Sequence, residues 1–201
     1  MMQEQGALGR GFADAVFDSQ RSFRATLSAM SLPGQVQTVQ PVIDLPAGLA
    51  MATASVLLAL ADFETPIWLP EQFASGEACA WLRFHCAAPL ASDPAQAAFA
   101  VISSKLPHPS LASFNPGTDQ FPDRSATLIL QCDNLIDGEV VTLSGPGIEK
   151  PLAVSPSGLI DNFWDDAELN AGLYPLGVDF ILACRSQIIG LPRTTQIRRA
   201  G

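Results

Sequence analysis

The run YPLGVDFILACRSQIIGLPRTT, residues 174–195, constrains the fold more than any other part of the chain. Residues 178–184 and 188–191 are apolar stretches of strand length joined by Arg185, Ser186 and Gln187, a pattern that predicts a β-hairpin with a short loop. Neither stretch alternates apolar with polar residues, so the hairpin is expected to be covered on both faces and to lie near the centre of a sheet. Pro192 has no N–H to give and should end the pairing, leaving Arg193, Thr194 and Thr195 at the strand end. A guanidinium, two hydroxyls and free backbone donors suit an anion. Asp179 is an acid in a run of Val, Phe, Ile and Leu, and must sit at the exposed start of its strand or find a partner. Arg193 reads as too far along to be that partner, so the partner is left open.

Other strands are read at 66–69, 98–103 and 126–132, with a short one in 35–40. Residues 140–144 are expected to pair with 126–132 across a turn at Asp137-Gly138. Asp18 or Ser19 should cap a helix running to Met30, with Phe23, Leu27 and Met30 as its inward stripe and Arg21, Arg24 and Ser28 on a solvated face. Residues 49–62 are apolar on every side, so they predict an enclosed helix. Ser75 should cap a further helix through 76–85 with Ala78, Leu82 and His85 on one face. Asp93-Pro94 reads as a cap, and residues 107–125 as a long irregular connection with one helical turn around 110–114. Residues 159–173 predict a helix ended by Gly172, with Phe163, Trp164 and Leu169 inward and Asp161, Asp165, Asp166 and Glu168 mostly outward.

A chain of 201 residues fits one ordinary domain with a sizeable core, and residues 1–16 read as an extension preceding a domain at 17–201. Charged residues make up only 15% against 48% hydrophobic, which points to surface covered by partners. The net charge of −9 speaks against non-specific binding to nucleic acid or an anionic membrane, which needs clustered Lys and Arg. Cys79, Cys86, Cys132 and Cys184 show no CxxC or zinc spacing and read as free thiols of a reducing cytoplasm. The N-terminus lacks a basic start followed by an apolar core, so no signal peptide is expected. Within 45–61, Pro46, Gly48 and the flanking acids trim the apolar run below the roughly 17 residues needed to cross a bilayer.

Reactive groups are sparse. The two histidines stand in no local Ser/His/Asp or Cys/His signature, although such triads also assemble in space. Arg83 and His85 invite a phosphate site, but on a helix they diverge by roughly 200° and converge only if the helix ends near Phe84. A structural histidine is the preferred reading of His85. Lys105 and Lys150 are the only lysines, and neither lies in an apolar strand that would depress its pKa for imine chemistry. The 144–148 bend lacks the Lys and hydroxyl of a phosphate loop, and no GxGxxG occurs.

Several segments, in order along nearly the whole chain, carry a family resemblance: DSQRSFRATLSAMSLPG (18–34), ATASVLLALADFETPIWL (52–69), LRFHCAAPL (82–90), GTDQFPDRSATLILQ (117–131), LSGPGI (143–148), YPLGVDFILAC (174–184) and LPRTT (191–195). Through them the sequence resembles the PhnH family, the H subunit of the bacterial carbon–phosphorus lyase system for phosphonate use. The resemblance implies a cytoplasmic, single-domain α/β protein with a mixed β-sheet flanked by helices, similar to the large domain of pyridoxal-phosphate-dependent transferases but without cofactor. It implies a homodimer that joins the G, I and J subunits in a core complex. With G, I and L, the family supports the reaction of a phosphonate with MgATP that releases adenine and gives α-D-ribose 1-methylphosphonate 5-triphosphate, chemistry attributed to the I subunit. No catalytic or metal-ligating residue transfers from it. Arg193, Thr194, Thr195, Arg83, His85 and Asp179 are therefore candidates for holding a phosphonate or nucleotide phosphate on their own chemistry. The expectation is a subunit that is not catalytic alone. The alternatives are a phosphonate- or phosphate-binding subunit and, last, an independent transferase.

Overall fold

The computed structural model describes residues 9–74 and 76–199. In chain order the elements are α1 (Ala15–Ser31), β1 (Val36–Thr38), α2 (Met51–Leu60), β2 (Ile67–Trp68), α3 (Glu71–Ala74), α4 (Glu77–Cys86), β3 (Phe99–Ser103), β4 (Thr127–Gln131), β5 (Val141–Ser144), β6 (Leu152–Val154), α5 (Phe163–Ala171), β7 (Asp179–Cys184), β8 (Gln187–Leu191) and β9 (Gln196–Arg199). Single 3-10 turns at 94–96, 111–113 and 122–124 punctuate the connections.

The expected hairpin is the centre of the molecule. β7 and β8 pair antiparallel from Phe180 opposite Leu191 to Cys184 opposite Gln187, and the turn is closed by Arg185 in the left-handed region at φ 51°. The six-stranded sheet runs β1-β8-β7-β4-β3-β2, in which β2, β3, β4 and β7 pair in parallel and β8 alone is reversed, antiparallel to both β7 and β1. Both faces of β7 are covered: Phe180 and Leu182 enter one core, Ile181 and Ala183 the other. On the second face lie α2 and α4, with α2 buried from Ala52 to Leu57 as its all-round apolar sequence requires. α1 closes against β8 and α2, and Gly190 makes that approach possible, because any side chain there would strike the Ala29 carbonyl.

Three expectations are corrected. α1 begins a turn earlier than Asp18, at the Asp14 cap, and its inward residues are Ser22, Thr26 and Ala29. Phe23 and Leu27 face out, because the narrow space over Gly190 admits only small side chains. β5 does not pair with β4. Both edges of β4 are taken by the parallel strands β3 and β7, so Asp137-Gly138 instead leads the chain into a second sheet, β6-β5-β9. In α5 the inward residues are Phe163, Trp164 and Ala167, while Leu169 is exposed. Ser75 lies outside the described residues; Gly76 occupies the cap position of α4 without a side-chain cap.

Candidate functional site

The antiparallel register that sets Phe180 opposite Leu191 carries Arg193 back beside the first residue of β7. Asp179 Oδ1 accepts from the Arg193 backbone N–H at 2.9 Å and from Nε at 3.1 Å, and Oδ2 accepts from Nη2 at 2.6 Å. Two more guanidinium donors, on Nη1 and Nη2, reach the Pro122 carbonyl and Ser125 Oγ, each at 2.5 Å. The reading of Arg193 as too far along to partner Asp179 is thereby corrected: the antiparallel return of β8 brings it back beside the start of β7. The Arg193 side chain is 13% exposed and that of Asp179 18%, so this forked pair fastens the start of β7, the end of β8 and the 117–125 loop in a largely dry corner. Neither Pro122 O nor Ser125 carried any signal in the sequence, since loop-to-strand contacts of this span have no periodicity to read.

Thr194 is half-buried; Thr195 is buried, and its hydroxyl has no hydrogen-bond partner among the described residues. Asp179, Arg193 and Thr194 line a shallow depression of about 250 Å³ together with Tyr174, Pro175 and Asp123. It lies at the amino ends of β4 and β7, whereas ligands of open α/β sheets gather at the carboxyl ends. At the carboxyl end, Gln131 ties the α2 approach to the sheet through Ala50 N–H at 2.5 Å and Gly48 O at 3.1 Å. There Lys105 pairs with Asp133 at 2.5 Å.

Arg83 and His85 are not brought to this corner. α4 packs on the core that holds Ile181, while Phe180 and Val178 belong to the core on the other face. Because α4 continues through Cys86, the two side chains diverge: Arg83 is exposed, and His85 is half-buried between the Trp81 and Phe84 rings. His85 Nε2 meets the Gly9 carbonyl at 2.8 Å, so that nitrogen carries the proton and donates. His85, Phe84, Phe12 and Leu58 border a cavity of about 520 Å³ beside Ala15 and Ser19 of α1.

The four cysteines are free thiols. Burial pushes the Cys86 thiol up to about 12; burial and then the neighbouring Cys184 do the same to Cys132. Cys184 is raised as well, chiefly by burial. Thiols held protonated at neutral pH are poor nucleophiles. On the second sheet, hydrogen bonds that Arg199 donates to the Glu139 and Asp165 carboxylates raise its pKa further, and all three groups are solvent-facing. Arg199 and Glu139 border a cavity of about 360 Å³ at the start of α5. Among the described residues no three His, Cys, Asp or Glu side chains cluster closely enough to hold a metal ion, and no helix is long and apolar enough to cross a membrane.

A mixed-sheet α/β domain whose most conspicuous polar cluster is consumed in its own architecture defines the class. The family described as bacterial phosphonate metabolism protein (PhnH) matches residues 10–198, and the chain belongs to that family. It is 34% identical over 188 residues, 94% of each chain, to the α-D-ribose 1-methylphosphonate 5-triphosphate synthase subunit PhnH of Rhizobium meliloti (strain 1021). It is 29% identical over 185 residues, 90% of this chain and 87% of the other, to HtxG of Stutzerimonas stutzeri, described as a candidate C-P lyase subunit.

Proposed function

We propose that the chain is a non-autonomous subunit of a carbon–phosphorus lyase core complex and supports formation of α-D-ribose 1-methylphosphonate 5-triphosphate from ATP and a phosphonate. The observation that carries this reading is the end-to-end match to a relative named as a subunit of that synthase. The state of the polar side chains agrees with it: Arg193 is engaged by Asp179, His85 by Gly9, and the Cys86 and Cys132 thiols stay protonated. We infer further that the protein works in the cytoplasm, forms a homodimer and joins the G, I and J subunits. The mixed six-stranded sheet with helices against it supports a likeness to the large domain of pyridoxal-phosphate-dependent transferases.

Coexpression with G, I and J should recover a stable complex. Adenine release from ATP and methylphosphonate should need this chain together with G, I and L and should be absent with the purified chain alone. Turnover by the isolated chain would overturn the proposal. A second reading, phosphonate or phosphate binding at Arg193, Thr194 and Thr195, draws on the depression beside them. It requires the guanidinium to give up Asp179, which makes it the weaker of the two. Calorimetry with phosphate, ATP and methylphosphonate tests it: heat abolished by Thr194→Val would revive it.

A further inference from the structure

We propose that the outward face of α1 is a docking surface for a neighbouring subunit that presents an apolar groove with an acidic rim, an inference that rests on the subunit role above. At about 100° per residue, Val16, Phe23 and Leu27 fall within an arc of roughly 40°. They are 74%, 46% and 58% exposed, and Phe17, roughly 80° further round the helix, is 61% exposed. Ser22, Thr26 and Ala29, the residues that α1 buries, centre roughly 110° round the helix from that stripe. A surface helix normally does the reverse.

This stripe is not a core face turned the wrong way. Rotating α1 to bury Phe23 and Leu27 would drive them into the strand at Gly190, where even a Cβ collides with the Ala29 carbonyl. The contact between α1 and the sheet is closed at its present spacing. Bulky apolar residues that cannot turn inward and lie contiguous along one helix mark a surface that another molecule covers.

Charge selects the occupant. Round the helix Arg24 falls between Leu27 and Phe17, and Arg21 just beyond Phe17, so both guanidinium groups border the exposed apolar residues on one side, on a chain of net charge −9; the Arg21 ion pair to Asp18 is a long one, 3.8 Å. Covering the stripe would strip water from these guanidinium groups, which favours a partner carrying carboxylates at the rim. A second copy meeting through the same face would set its own arginines against these, since a two-fold contact brings each patch onto itself. Beside the first two turns, Ala15 and Ser19 border the cavity walled by Phe12, Leu58 and Phe84, with room for one anchoring side chain from the partner.

The test uses the full chain with tagged G, I and J. Phe23→Glu with Leu27→Glu should weaken assembly at least about tenfold while the isolated chain keeps its melting midpoint. Phe23→Gln with Leu27→Gln serves if the acidic pair disturbs folding. Arg21→Glu with Arg24→Glu should also weaken assembly, and added salt should weaken wild-type assembly. Variants that assemble like a wild type that does assemble would overturn the surface and leave the subunit role standing. A wild type that fails to assemble would overturn both. Variants that convert a dimer to monomers yet still join the complex would assign the face to a self-contact and overturn the proposal.

Discussion

The Arg193 corner and the outer face of α1 are mirror cases. The corner is polar in sequence and largely buried: a guanidinium, a carboxylate, a hydroxyl and a carbonyl satisfy one another there. The helix face is apolar in sequence and exposed: Val16, Phe17, Phe23 and Leu27 stand in water over a layer of Ser22, Thr26 and Ala29. In both places residue character alone points the wrong way, and the space available decides. A fork of donors held by partners inside the fold is architecture, whereas an exposed apolar stripe with no room beneath it is the interface proposed above.

The sharpest way to break this contrast is Asp179→Ala, which strands a guanidinium that is 13% exposed. The expected cost is about 3–5 kcal/mol, or roughly a 10 °C fall in melting midpoint, with much of it recovered when Arg193→Met is added. Additive losses in that double variant, measured by thermal and urea unfolding, would show the two side chains to be independent. Next in size is Gly190→Ala, which pushes a methyl group into the Ala29 carbonyl and should cost about 2–3 kcal/mol on the same scale.

A smaller effect comes from Cys86. Its folded pKa lies near 12 against 9.0 for the free thiol, so the unfolded chain releases the proton first as pH rises. Its contribution is complete below pH 9 and is lost between pH 9 and 12, at no more than about 1.4 kcal/mol per pH unit. Melting curves across that range should fall less steeply for Cys86→Ala than for the wild type. Smallest of all, Phe23→Gln and Leu27→Gln should each cost the isolated chain no more than about 1 kcal/mol, because each side chain is already about half exposed. A large loss from either would place the stripe in the core.

Much of the sheet was legible. The unbroken apolar runs of β7, β8 and β4 gave their positions, the coverage of β7 on both faces and its central place, and the all-round apolar 51–60 stretch gave an enclosed helix. Periodicity marked two faces on α1 but carried no information about which faced inward, since that depends on Gly190 some 160 residues on. β9 offered only Ile197 as an inward residue between Gln196 and Arg198, too little for a period to show, and without β9 and β6 the alternating β5 had no visible partner but β4. The polar candidates were named but could not be sorted: register joins Asp179 to Arg193, and the continuation of α4 past Phe84 separates Arg83 from His85.

Hydroxyl-radical footprinting of the chain, first alone and then assembled with G, I and J, sets the two regions against each other in one experiment. Phe17, Phe23 and Leu27 should lose most of their labelling on assembly, while Tyr174, exposed beside the Arg193 corner, should keep it. Protection of Tyr174 with α1 still fully labelled would contradict the account.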